Sequence, residues 1–174
     1  MGIKNLNTLL NKYCKDLYKT YKLSLFKGKT IGIDISFFMF KFKAIVTSDI
    51  VKKTQFGYVN GEWSDIDYKR VRSRWLGEFL KLKKAFDKAG VKLSFVFDGI
   101  APEEKANTQL LRKQKHLNTV QKQKQYKNDP DKLEEYKKAI RNNIAPTPLE
   151  REALTQLLQL LGCELIYAKG EAEH

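Results

Sequence analysis

The sequence predicts an α/β domain built on a parallel sheet, and three observations carry that prediction. Apolar runs at residues 30–34, 93–98 and 165–173 have the length of buried strands. Between them lie segments whose apolar positions follow helical spacing, so strand and helix alternate. Each run also closes on acid: Asp34, then Asp98, then Glu171 and Glu173. Parallel neighbours joined by right-handed crossovers would gather these four carboxylates at one rim, where open α/β sheets place their ligands. Carboxylates crowded together repel one another unless a hard cation such as Mg²⁺ sits among them.

After the first strand, residues 36–45 carry Phe37, Phe38, Phe40 and Phe42, a helix too aromatic for solvent and expected to pack on the sheet. A loop is predicted over residues 47–64, around Gly57, Gly61 and the aromatics Phe56, Tyr58 and Trp63. A long amphipathic helix follows over residues 65–89. Val71, Trp75, Phe79, Leu82 and Phe86 share one of its faces, and Gly90 suits the position just past its end. Residues 103–143 differ in composition, with eleven Lys or Arg against six Asp or Glu and few large apolar side chains. Asn128-Asp129-Pro130 breaks this segment into two helices. Such a polar pair has little to bury and is expected to project from the body. The helix over residues 147–161 is signalled most fully. Thr147 and Glu150 form a capping box, Pro148 fits the first helical position, and Leu154, Leu157, Leu158 and Leu161 make one stripe. Gly162 closes it before the third strand.

The 174 residues, 42% of them hydrophobic, suffice for one domain with a real core and a protruding subdomain. With 33 Lys and Arg against 20 Asp and Glu, the formal net charge of +13 favours an anionic partner, nucleic acid before a membrane surface. Cys14 and Cys163, in a predicted helix and a predicted strand, read as buried reduced thiols of an intracellular protein. No stretch has the length of a membrane span, and the N-terminus lacks the apolar core of a signal peptide. Met1-Gly2 begins like a myristoylation signal, but Leu6 stands where Ser or Thr is required.

Two alternatives attach to the acidic residues on their own chemistry. An Asp at a strand end commonly caps the helix that follows, so Asp34 can be a cap, a metal ligand, or both. Glu171 and Glu173 stand two apart and would point to different sides of a regular helix, so they converge only in an extended or strand-to-helix geometry.

Laid out this way, the chain resembles the flap endonuclease family, the XPG-type structure-specific 5′ nucleases. The opening Met1-Gly2-Ile3-Lys4-Asn5-Leu6 with Leu9 and Leu10 is similar to that family's N-terminal signature. Gly32-Ile33-Asp34-Ile35-Ser36 resembles its first acidic motif, Phe95-Val96-Phe97-Asp98-Gly99 with Pro102 the second, and Gly170-Glu171-Ala172-Glu173 the third. The resemblance implies a parallel-sheet, PIN-like nuclease core with a projecting helical arch. Residues 1–102 would form the N-terminal nuclease region, residues 103–143 the arch that passes a single-stranded 5′ end, and residues 144–174 the third helix–strand unit.

It further implies that Asp34, Asp98, Glu171 and Glu173 hold Mg²⁺ or Mn²⁺, two ions in the complete family site. A divalent ion near a phosphate makes water acidic enough to attack and steadies charge on the leaving oxygen. Lys105 and Arg112 match basic residues at the base of the arch that contact the scissile phosphate. Their spacing of seven places them on one helix face with Gln109 and His116. Gly2, where the family's chain starts, joins Gln109 among the implied DNA contacts. Phe40 stands where the family stacks an aromatic on a base, though the helix pattern equally allows it in the core. Residues 47–64 fall where the family wedges against a duplex junction.

Some family features have no counterpart in these residues: the later acidic ligands and the helix–turn–helix that grips duplex backbone. Lys169 replaces a common Pro, and His174 stands where a small residue is usual. The chain is therefore expected to be the N-terminal part of a longer nuclease of DNA replication and repair. Such an enzyme acts on DNA with a 5′ flap or junction, is nuclear in a eukaryote, and can meet a sliding clamp through its missing C-terminal region. The competing readings are a non-catalytic nucleic-acid-binding module or inactive fragment, and a phosphatase on a similar sheet. The basic insertion argues against the phosphatase, because a small substrate needs no such surface.

Overall fold

The computed structural model of the chain describes residues 5–14, 19–99 and 103–170. Helix α1 (Leu6–Tyr13) precedes strand β1 (Thr30–Asp34) and helix α2 (Ile35–Lys53). A hairpin of β2 (Tyr58–Val59) and β3 (Glu62–Trp63) leads into helix α3 (Tyr68–Lys88) and strand β4 (Lys92–Phe97). Helices α4 (Ala106–Lys127), α5 (Leu133–Asn142) and α6 (Pro148–Leu160) then lead to strand β5 (Glu164–Tyr167). The predicted α/β class holds. β1, β4 and β5 form one sheet in that order, and both pairings are parallel.

One face of this sheet makes the main core. Ile33, Leu93 and Phe95 pack against Met39, Trp75, Phe79, Leu154 and Leu158, all of them buried. Trp75 is fully buried and its indole Nε1–H donates to the Met39 carbonyl at 3.0 Å, which ties α3 to α2. Gly90 ends α3 with φ of 72°, a left-handed conformation that suits glycine. The capping box of α6 forms as the sequence predicts, with Thr147 and Glu150 bonding each other's backbone amides.

Three expectations need correction. Residues 47–64 are not a loop. α2 continues to Lys53 because Val46, Ile50 and Val51 bury a second face against Tyr136 and Ile140 of α5 and Val71 of α3. Those β-branched residues are weak helix formers in isolation, and tertiary packing overrides the propensity. The remainder turns at Asn60 and Gly61, with φ of 54° and 82°, the conformation of a tight hairpin turn.

The second correction concerns the polar helical pair. α4 has no buried residue but packs along α5, which buries Tyr136, Ala139 and Ile140. Three apolar positions on one face were too few to mark the composition, yet they dock the helix on α2. The third concerns Cys14, which sits half-buried at the end of α1 rather than in a core; Cys163 is buried just before β5, and burial pushes its thiol pKa up. No helix among the described residues is long and apolar enough to cross a membrane.

Candidate metal centre and nucleic-acid interface

Asp34 is the last residue of β1 and Asp98 follows directly on β4, its parallel neighbour. Both carboxylates reach residue 36. The Ser36 backbone N–H donates to Asp34 Oδ1 at 2.7 Å, and the Ser36 hydroxyl donates to Asp98 Oδ2 at 2.8 Å. Phe37 N–H also donates to Asp34 Oδ1, at 3.4 Å, so Asp34 is the N-cap of α2. Both capping bonds use the same oxygen, and an aspartate held through one oxygen can still present the other. Ser36 was quoted in the first motif without a role, and its bond to Asp98 gives it one.

The third motif approaches the same edge through backbone. The Gly99 N–H donates to the Gly170 carbonyl at 2.6 Å. A Cβ built on Gly99 would lie 2.0 Å from the Ala168 carbonyl oxygen and 2.8 Å from that of Lys169. Glycine is required here because two backbones meet with no room between them. Residues 168–170 are thereby held beside Asp98-Gly99. Glu171 and Glu173 themselves, like Gly2, lie outside the described residues. Among the described residues no group of three or more His, Cys, Asp or Glu could hold a metal. Asp34 and Asp98 do supply two neighbouring carboxylates from adjacent strands, the hard oxygen donors that Mg²⁺ or Mn²⁺ prefers, so the pair fits such an ion.

Phe40 is 41% exposed on α2 and Phe37 is 58% exposed, whereas Phe38 and Phe42 pack on the core. The alternative of Phe40 as a core residue is thus answered in favour of the surface. Lys105 ends a short 3₁₀ turn (Glu103–Lys105) and is half-buried; Gln109, Arg112 and His116 are exposed along α4. Leu110, Leu111 and Leu117 are exposed on the same stretch. Gln109, Arg112 and His116 are thus presented to solvent on α4, whereas Lys105 precedes that helix.

The far end of α4 is anchored. Lys127 Nζ donates to Asp65 Oδ2 at 2.9 Å, and Gln123 Nε2 donates to the Tyr68 hydroxyl at 3.0 Å. Trp63 Nε1–H donates to the Asp129 carbonyl at 2.9 Å, and the Tyr58 hydroxyl to that of Asn128 at 3.1 Å. These carbonyls lie in the turn after α4, and that of Asp129 also accepts from the Lys132 N–H at 3.2 Å. Fully buried Tyr136 donates to Asp65 Oδ1 at 2.5 Å; burial, reinforced by this carboxylate, pushes its phenol pKa upward. The Asn60-Gly61 dipeptide between Val59 and Glu62 was the sequence signal for the hairpin that makes these contacts.

A buried ion pair joins α2 to the first turn of α6. Lys43, 7% exposed on α2, donates to Glu150 Oε2 at 2.5 Å and to the Ala145 carbonyl at 3.1 Å. Burial works to raise the Glu150 pKa, but the hydrogen bonds from Lys43 and the Thr147 backbone outweigh it and hold the carboxyl below its ordinary range. A depressed acid contributes stability above its unfolded pKa and loses it as pH falls through the lower folded value. The unfolding midpoint should therefore drop as pH falls through and below the ordinary glutamate range. The Lys43→Met protein should show a shallower acid limb in a thermal melt series.

The parts so far define a parallel-sheet α/β domain that presents paired carboxylates at its carboxyl rim, followed in the chain by an exposed basic helix. The profile of the XPG N-terminal domain matches residues 1–119, and the chain belongs to that family, the flap endonuclease/XPG family. Flap endonuclease 1 of Entamoeba histolytica is 29% identical over 99% of this chain and 43% of its own length. Flap endonuclease 1-B of Physcomitrium patens is 29% identical over 99% of this chain and 46% of its own. Flap endonuclease 1 of Heterostelium pallidum is 27% identical, over 99% and 42%. The chain spans less than half the length of these relatives.

Proposed function

We propose that the chain is the N-terminal part of a structure-specific 5′ nuclease that hydrolyses phosphodiester bonds of branched DNA bearing a 5′ single-stranded end. The observation that carries this reading is the convergence of Asp34 and Asp98 on Ser36 at the carboxyl ends of adjacent parallel strands. Asp34 and Asp98, joined by Glu171 and Glu173, would hold Mg²⁺ or Mn²⁺, with further ligands from outside these residues completing a second ion. Such an ion lowers the pKa of water and offsets charge on the leaving oxygen. Lys105 and Arg112 grip the phosphate, Arg112 through a planar fork of donors, and Gln109 and Gly2 contact the strand. Phe40 stacks on a base near the cut. Intracellular DNA replication and repair, nuclear in a eukaryote, and a sliding-clamp partner belong to the same reading.

The experiment is incubation of the full-length gene product with an end-labelled 5′-flap duplex and Mg²⁺. Cleavage near the junction is expected, with a loss of about 10²- to 10³-fold in Asp98→Asn, on the scale of removing one preorganised charge-stabilising group. A second reading, the non-catalytic binding module, is favoured by the assignment of Asp34 as a helix cap. It is distinguished by salt-sensitive DNA binding that survives Asp34→Ala, with no cleavage by any form.

A further inference from the structure

We propose that Phe37, together with Phe40 and Lys41, forms a stacking surface for unpaired nucleobases along the outer face of α2. This rests on the nucleic-acid reading above and adds Phe37 and Lys41 to it. α2 has already met its packing needs. Ile35, Met39, Lys43, Val46, Thr47, Ile50 and Val51 are buried, and Phe38 and Phe42 pack on the core from the flank. Phe37 and Phe40 are left over, three residues apart along the helix, 58% and 41% exposed. The Phe37 ring meets Phe38 edge-to-face, centroids 5.3 Å apart, and is still more than half exposed.

Three features say what partner these exposed rings suit. The Phe37 N–H bonds to Asp34 Oδ1, so the ring begins one turn from the carboxylate rim. Lys41 Nζ lies 5.5 Å from the Phe37 ring centroid and 5.8 Å from that of Phe38, which places a cation among the aromatic faces. A net charge of +13 opposes a second copy of the chain and favours a polyanion. Rings interleaved with a cation suit a single nucleic-acid strand, whose bases stack while its phosphates pair. Any base offers a π face, so the surface should read strandedness rather than sequence.

The test measures anisotropy of the full-length gene product, in chelator to prevent cleavage, against two oligomers of equal length: single-stranded oligothymidylate and an abasic strand. The wild type should prefer the base-bearing strand by about 5- to 100-fold. Phe37→Ala should erase most of that preference and leave abasic affinity unchanged. Phe37→Trp should keep it, and its indole emission should fall on binding oligothymidylate. Equal weakening toward both strands, or no change in Phe37→Ala, overturns the proposal. Salt-sensitive wild-type binding without preference sinks the stacking surface while the nucleic-acid reading stands; binding of neither strand removes both. Concentration-dependent self-association abolished by Phe37→Ala would assign the stripe to a second copy instead.

Discussion

Truncating Glu150 to Ala should destabilise the fold by about 3–5 kcal/mol, the cost of leaving a buried charge without its partner. Lys43 is 7% exposed and sits between α2 and α6, where Glu150 Oε2 accepts from both its ammonium and the Thr147 N–H. Removing that oxygen strands a cation and opens the capping box at once. Lys43 keeps only the Ala145 carbonyl at 3.1 Å. The complementary double change, Lys43→Met with Glu150→Gln, should recover most of the loss, because replacing both ions with groups of similar shape is often near neutral. Chemical denaturation of the single and double variants measures this. A double variant as unstable as Glu150→Ala would show that the pair's charge is not what matters.

Gly99→Ala should be similarly severe, for a steric reason. The added methyl meets the Ala168 carbonyl oxygen at 2.0 Å, with the Lys169 and Gly170 oxygens at 2.8 Å and 2.9 Å. All three are backbone atoms, so no flexible side chain can yield. Overpacking ordinarily costs about 1–3 kcal/mol, and a contact this short belongs at or above that upper end. The chain has one local escape, which is to break the Gly99–Gly170 hydrogen bond and let residues 168–170 leave the edge of β4. Loss then appears as faster amide hydrogen exchange over residues 163–170 even where the midpoint moves little. Unchanged stability together with unchanged exchange would contradict the close approach.

Residues differ in how far the sequence exposed their roles. The three strands, the break after α4 and the α6 capping box follow from local patterns, apolar run length and fixed offsets, and the structure repeats them. α2 beyond Ile45 was hidden because its β-branched residues are helical only through packing on Tyr136 and Ile140, which lie far along the chain. The Lys43–Glu150 pair spans 107 positions and has no local signature. At the site, Asp34 and Asp98 were legible as acids at strand ends. Their link through Ser36 was not, since a serine hydroxyl 62 residues from its acceptor carries no pattern. Phe40 was ambiguous for a physical reason: a helix with four phenylalanines cannot bury them all on one side, and only the fold decides which are left outside.

We propose that Asp34 serves both as helix cap and as metal ligand, and one titration separates the two roles. Asn caps a helix about as well as Asp but brings no charge to a cation. Mn²⁺ binding to the full-length gene product, followed by electron paramagnetic resonance beside a thermal melt, should therefore distinguish Asp34→Asn from Asp34→Ala. Asp34→Asn should keep the wild-type melting midpoint while Mn²⁺ affinity falls by at least about 10-fold, the scale of losing one charged contact. Unchanged Mn²⁺ affinity in Asp34→Asn, with Asp34→Ala lowering only the midpoint, would leave Asp34 a helix cap and nothing more.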